Sequence, residues 1–251
     1  MKQAVFNFGL SILERMVGLN RLAIAVRQSL SGRSNFEYEG SRLSYHFHSY
    51  NNLGFTERAV EIPIVAHWLK AARPSNVLEI GNVSNYYYDR FGSYLGTKQV
   101  VDKFEIGAGV TNCDIRQFFD PRGFDFIFSI STFEHMDSDA GRNPDYGVTV
   151  QPSPPFSSVA LANISYVCDR LLRVGGTAVI TFPFKYGNAE IDRSLNLGEL
   201  MHLKNCSYEV HYLARLNELE WRQVSSADKL PSEAYSRFGK VNGLGVLVLR
   251  K

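Results

Sequence analysis

The 251-residue chain reads as an α/β fold with a mostly parallel sheet, on three observations. Short apolar runs recur at Asn76–Ile80 (NVLEI), 99–102 (QVVD), Phe124–Ile130 (FDFIFSI) and 177–182 (TAVITF). Their near-continuous apolar character is that of strands covered on both faces. Helix-like segments separate the runs, which argues for βαβ units with right-handed crossovers. Polar, chemistry-bearing residues follow each run directly, where an open α/β sheet binds its ligands.

Taken in order, residues 57–72 form a helix pattern with Thr56 as its N-cap, and Pro63 either kinks it or marks its first turn. Pro74 and Ser75 then break the pattern before the first run. Residues 158–172 form a second helix pattern, stopped by Arg173 and the Gly175-Gly176 pair. Beyond residue 184 the pattern predicts a further helix and two strands, with 221–224 pairing onto 244–249 (LGVLVL) as a hairpin. Residues 4–30 are apolar, but Glu14, Arg15, Arg21 and Arg27 interrupt them. No uncharged run reaches the roughly 18 residues of a spanning helix, and no signal-peptide order is present. Phe6, Leu10, Leu13 and Val17 share one face. That face suits packing on the domain, on a second copy in a homodimer, or on a membrane surface. The chain therefore divides into a helical extension and lid over 1–56 and the α/β domain over 57–251.

Composition narrows the function. Lys plus Arg number 27 against 25 for Asp plus Glu, a net charge of +2. That gives no electrostatic case for a nucleic-acid partner. Three cysteines, Cys113, Cys168 and Cys206, stand at long spacings with no CxxC pair. A disulfide framework or zinc site is not expected, and a reducing cytoplasm is.

The residues after the runs form an ordered set. Asp102 lies 21 positions after Gly81, the distance at which an acid accepts hydrogen bonds from ribose hydroxyls. A dinucleotide needs G-x-G-x-x-G so that backbone amides approach its pyrophosphate. Here Gly81 is followed by Asn82, Val83, Ser84 and Asn85. Glu79, just before the turn, would repel a pyrophosphate and suits a cation.

In this order and spacing, VLEIGN…VVDKFE…NCDI…FDFIFSISTFEHM…LLRVGGTAVITFPF resembles the class I S-adenosylmethionine (SAM)-dependent methyltransferases over residues 76–184. EIGNVSNYY, VVDKFE and SISTFEHM resemble more closely a bacterial and archaeal group associated with glycan and small-molecule biosynthesis. The resemblance implies a Rossmann-like, doubly wound, mostly parallel seven-stranded sheet with an antiparallel C-terminal strand. It also implies SAM as cofactor, held by Glu79, Gly81, Asn82, Asp102, Lys103, Asp114, Ile115 and Ser131. Asp102 would take the ribose, Asp114 the adenine amino group, and Ile115 the ring face. The chain departs from many relatives in carrying one loop glycine where they carry two or three.

Methyl transfer is an in-line displacement, so positioning supplies much of the acceleration. A hydroxyl acceptor must also lose its proton, which needs a base. His135 follows the third run and has an ordinary pKa near 6.5. Glu134 would orient it or serve in its place. Tyr45, His48, Tyr50 and Asn51 before the first helix, and Tyr186, Asn188 and Asp192 after the fourth run, offer aromatic, hydroxyl and carboxamide groups to a neutral acceptor. The expected acceptor is a hydroxyl of a small molecule, a sugar or a glycan terminus. The alternatives are a nucleic-acid or protein methyltransferase and a non-catalytic SAM-binding protein. Asp137, Asp139 and Asp192 match no metal-binding spacing, and no metal is expected. Asn143-Pro144-Asp145-Tyr146 is superficially similar to the NPPY motif of amino-group DNA methyltransferases, but it lies too far beyond Ile130.

Overall fold

A computed structural model describes residues 35–48, 56–92, 95–136, 158–184, 203–217, 220–225 and 243–251. The helix expected over residues 4–30, and Tyr50, Asn51, Asp137, Asp139, Asp145, Lys185, Tyr186, Asn188 and Asp192, lie outside these residues.

Strands β1 (Asn35–Tyr38) and β2 (Ser41–Ser44) form an antiparallel hairpin. Its two-residue turn places Glu39 and Gly40 both at positive φ, 48° and 68°. That turn twists in the same sense as the strands it joins, and Gly40 takes the strained second position without cost. Helix α1 (Arg58–Ala72) follows. Its N-cap is Glu57, not Thr56, and Glu57 makes no side-chain cap bond. Thr56 contributes its carbonyl, which accepts the Ala59 N–H at 3.0 Å. Pro63 sits inside the helix, and having no N–H it leaves the Ala59 carbonyl without its usual partner. The His46 N–H fills that vacancy at 3.0 Å, tying the segment after β2 to the start of α1. Arg73 ends α1 in the left-handed region, its N–H on the Leu69 carbonyl, immediately before Pro74.

The main sheet contains β3 (Asn76–Ile80), β4 (Thr97–Asp102), β5 (Val110–Asn112), β6 (Phe124–Ile130), β7 (Leu172–Phe184), β8 (Ser207–Asn217), β9 (Glu220–Val224) and β10 (Gly243–Arg250). Its spatial order is β5-β4-β3-β6-β7-β10-β8-β9. The five strands from β5 to β7 are parallel, and β10, β8 and β9 join by antiparallel pairing. The sheet is thus doubly wound, Rossmann-like, with β10 antiparallel beside β7. Among the described residues this sheet has eight strands where the resemblance implies seven, because β9 adds an edge beyond β8.

Successive side chains point to opposite faces of the sheet, and two cores result. Leu78, Ile80, Ile127, Ile180 and Leu247 pack with Ile164, Val167 and Leu171, which belong to helix α3 (Ser158–Tyr166) and the π-turn that extends it over Val167–Leu171. Val77, Phe126, Phe128, Val179 and Val246 pack on the other face with Ile62, Val65 and Leu69 of α1. Burial on both faces explains why β3, β6, β7 and β10 read as continuous apolar runs. Between β3 and β4 the chain makes a 3-10 turn, Ser84–Tyr87, and a single helical turn α2 (Tyr88–Phe91).

Two expectations are corrected. Residues 221–224 do not pair with 244–249, since β8 lies between β9 and β10. The first seven residues of β10 are all buried, so it requires a neighbour on each side, and β7 and β8 supply them. The helix over 158–172 ends one residue early, and Gly175-Gly176 lies inside β7 instead of stopping the helix. There the Gly175 N–H donates to the Lys251 carbonyl at 2.7 Å, drawing the chain's last residue onto the sheet. No helix among the described residues is long and apolar enough to cross a membrane.

Candidate active site at the switch point of the sheet

The chain winds from β3 through β4 to β5 on one side, then returns to β6 and β7 on the other. The strand order therefore reverses between β3 and β6, and the carboxyl ends of these two strands open a crevice, the usual ligand site of such sheets. Gly81 and Thr132 meet there. Gly81 has φ +88°, and a Cβ at this position would collide with the Thr132 side chain, so only glycine fits the turn.

Glu79 builds the loop that follows. Its carboxylate is buried and accepts from the Val83 N–H (2.8 Å), the Ser84 N–H (2.5 Å), the Ser84 hydroxyl (2.5 Å) and Lys98 Nζ (3.0 Å). Four donors saturate it. Glu79 therefore shapes the loop from within, whereas the sequence pointed it at a bound cation. Lys98 also donates to Ser84 Oγ and Asn85 Oδ1, which fastens the loop to β4.

Asp102 stands beside Gly81 at the end of β4, and the Gly81 N–H itself donates to the Val101 carbonyl. Asp102 Oδ1 accepts the Phe104 and Glu105 N–H groups at 2.8 and 2.7 Å, holding its own loop. Among the described residues Oδ2 receives only a long 3.3 Å bond, from the Asn82 N–H, and keeps acceptor capacity for hydroxyls of a ligand. Asn82 Nδ2 and the Tyr86 hydroxyl both donate to Glu105 Oε1, at 2.6 and 2.5 Å, closing the loop after β3 onto the loop after β4. Lys103 Nζ lies 3.2 Å from Asp114 Oδ2, so two of the expected cofactor residues pair across the loops after β4 and β5. Burial raises the Asp114 carboxyl, but the Arg116 N–H and Lys103 outweigh it and hold it below the ordinary carboxylate range. Ile115 is buried immediately after it.

At the end of β6, Ser131 adopts a left-handed φ of 47° and turns its hydroxyl away from the loop after β3, donating to Glu61 Oε1 of α1 at 2.6 Å. The Thr181 hydroxyl of β7 donates to the same oxygen at 2.7 Å. Arg58 Nη1 is 3.4 Å from Glu61 Oε2. Glu134 and His135 follow in the 3-10 turn Phe133–His135. His135 Nε2 lies 3.7 Å from Glu134 Oε1, an ion-pair distance too long for a hydrogen bond. Burial and the Arg58 charge push the His135 imidazole below its ordinary pKa, which keeps it neutral at pH 7. Burial first, and the charges of Glu61 and Glu57 in addition, push the Glu134 carboxyl well up. Burial and Glu61 likewise raise Glu57.

The structure thus gathers Gly81, Asn82, Asp102, Lys103, Asp114 and Ile115 around the ends of β3 to β5, and Ser131, Glu134 and His135 at the end of β6. His48 reaches the first group indirectly, its ring 5.3 Å from that of Tyr87 in the turn after β3. Tyr45 is buried instead, its hydroxyl accepting the Trp221 N–H at 2.9 Å. Glu57, Glu61, Lys98 and Glu105 were not anticipated as site residues. Glu61 carried a signal, as a lone acid within the otherwise apolar AVEIPIVA. Among the described residues, no group of three His, Cys, Asp or Glu side chains converges as a metal would require.

No family model matches the chain, and no curated protein matches it. Solved structures with a similar course of the chain include the methyltransferase domain of bacterial CtHen1 (12% identity, TM-score 0.42, covering 76% of this chain and 97% of that one). A SAM-dependent methyltransferase from Archaeoglobus fulgidus gives 14% identity and TM-score 0.43, over 76% of this chain and 94% of that one. The N-methyltransferase NodS from Bradyrhizobium japonicum, in complex with S-adenosylhomocysteine, gives 15% and 0.41, over 75% and 86%. At this degree of likeness the functional assignment rests on the chain's own residues.

Proposed function

We propose that the chain is a SAM-dependent methyltransferase that methylates a hydroxyl of a small molecule, a sugar or glycan terminus. The observation that carries this reading is the crevice floor. A single turn glycine meets an Asp102 carboxylate with an oxygen to spare, and no phosphate-binding glycine follows. These groups fit a nucleoside without a pyrophosphate. SAM, when bound, supplies an electrophilic methyl on a positively charged sulfur.

In this reading Asp102 Oδ2 accepts the ribose hydroxyls, and Asn82 and Glu105 keep the loop around it closed. Asp114 accepts from the adenine amino group and Ile115 packs on the ring. Gly81 and the loop shaped by Glu79 take the aminoacyl end. His135, half exposed and neutral, removes the acceptor proton as the new bond forms. The three cysteines are free thiols, which suits work in the cytoplasm.

The test is calorimetry with SAM and S-adenosylhomocysteine without added metal, followed by isotopically labelled SAM against separate panels of glycosides, nucleic acids and peptides. One binding site and label in glycosides are expected. Label confined to nucleic acid or peptide would overturn the acceptor class, and absence of any binding would overturn the cofactor.

A further inference from the structure

We infer that Glu61 of α1 is a positioning residue for the cofactor crevice, holding Ser131 in the left-handed turn that sets Thr132 against Gly81. The inference rests on the methyltransferase reading and adds to it a residue that acts through Ser131 and Thr132. Three non-glycine residues among those described adopt a positive φ: Glu39, Arg73 and Ser131. Glu39 sits in a two-residue hairpin turn and Arg73 closes a helix, local motifs that call for this conformation. Ser131 follows β6 directly, where the chain would otherwise stay extended. A left-handed φ crowds the Cβ against the backbone, so such a residue persists where its surroundings hold it.

The hold comes from α1 and β7. The Ser131 N–H donates to the Thr181 carbonyl at 3.1 Å, and the Ser131 hydroxyl donates to Glu61 Oε1 at 2.6 Å. The Thr181 hydroxyl donates to the same oxygen at 2.7 Å, so one carboxylate oxygen ties α1, β6 and β7 together. Arg58 Nη1, 3.4 Å from Oε2, offsets the charge of Glu61. Glu61 is buried among apolar neighbours of α1, where a carboxylate costs the fold unless it is paired and hydrogen-bonded. An apolar side chain there would pack α1 on the sheet as well, but it could not grip Ser131. Phe133, further along the turn, is buried in the core on the opposite face of the sheet from α1. The turn is thus pinned by Ser131 on one face and by Phe133 on the other. Thr132 stands between them, and its side chain is what a Cβ at Gly81 would strike. The Thr132 carbonyl accepts the His135 N–H at 3.1 Å, so the proposed base rides on the same turn.

The test is calorimetry with S-adenosylhomocysteine on the full chain and its variants, with melting temperatures alongside. The wild type is expected to bind, and absence of binding overturns the methyltransferase reading and this inference with it. Glu61→Leu keeps an apolar contact and removes the acceptor of both hydroxyls. It should weaken binding roughly tenfold or more, the scale of a lost hydrogen bond to a ligand. Affinity equal to that of the wild type overturns the inference while the methyltransferase reading stands. Ser131→Gly added to the Glu61→Leu chain supplies a readout that a merely structural role would not move. Glycine takes a positive φ unaided, so it should recover most of the lost affinity, and no recovery overturns the inference. Where Glu61→Leu does not fold, Ser131→Ala and Ser131→Gly decide in the chain with Glu61 intact. Both lose the hydroxyl, but alanine keeps the strain without the anchor, so it should bind more weakly and melt lower than glycine. Equal values, or the reverse order that an extended residue would give, overturn the inference.

Discussion

Asp102→Asn separates the two jobs of one carboxylate. Oδ1 holds the loop after β4 through the Phe104 and Glu105 N–H groups at 2.8 and 2.7 Å, and an asparagine carbonyl oxygen can accept both. Among the described residues Oδ2 has only the 3.3 Å contact with the Asn82 N–H, and in the variant a donating NH₂ replaces it. The loop should therefore survive while the ligand-facing acceptor is lost. A hydrogen bond to a charged group is worth about 1.5–3 kcal/mol, and about 1.4 kcal/mol is a factor of ten. SAM and S-adenosylhomocysteine should accordingly bind roughly ten- to a hundredfold more weakly, read by calorimetry. Circular dichroism and the melting temperature check that the loop and fold persist. Unchanged affinity in a folded Asp102→Asn protein would refute the ribose role and, with it, the reading of the crevice.

Four further outcomes are expected. His135→Ala should lower turnover at saturating SAM by about 10²–10⁴-fold while SAM affinity holds, and a collapse of affinity instead would make His135 a cofactor contact. The same histidine titrates below its ordinary pKa of 6.5 and acts as base only when neutral. Activity should therefore rise with pH through a midpoint under 6.5, and a midpoint above 6.5 in the wild-type pH–rate profile would contradict its surroundings. Glu79→Ala leaves Lys98 and three loop donors without their acceptor. Loss of one partner from a buried pair costs about 3–5 kcal/mol, to be read from urea unfolding, and a loss under about 1 kcal/mol would show that the loop does not depend on it. Gly81→Ala should destabilise the protein, since left-handed φ alone costs about 1–2 kcal/mol and the new methyl meets Thr132. Thr132→Ala in the same chain should recover part of the loss by removing the collision, and no recovery in thermal melts would reject the contact.

Local pattern in the sequence determined a large part of this molecule. β3, β6, β7 and β10 are covered on both faces, and that burial writes itself as unbroken apolar runs. Gly81 and Asp102 were legible because a tight turn and an acid at the next strand end keep a fixed separation along the chain. β8 was not legible: SYEVHYLARLN mixes polar and apolar residues, and its place between β9 and β10 depends on pairing across a long connection. Residues 221–224 did read as a strand, but its pairing with β8 in place of β10, and the Gln223 acceptance of the Glu39 N–H that docks the β1–β2 hairpin, were decided by the tertiary structure. The same holds within the site. Glu79 is buried against donors four and five residues ahead and Lys98 across the sheet, and nothing in its type distinguishes such an acid from one that faces a ligand. Glu61 meets Ser131 and Thr181 from 70 and 120 residues away. A residue's type and neighbours record whether it is buried and in what local geometry. Which distant hydroxyl, amide or charge completes it is decided only when the sheet closes, because hydrogen bonds and ion pairs act over a few ångströms of space, whatever the separation along the chain.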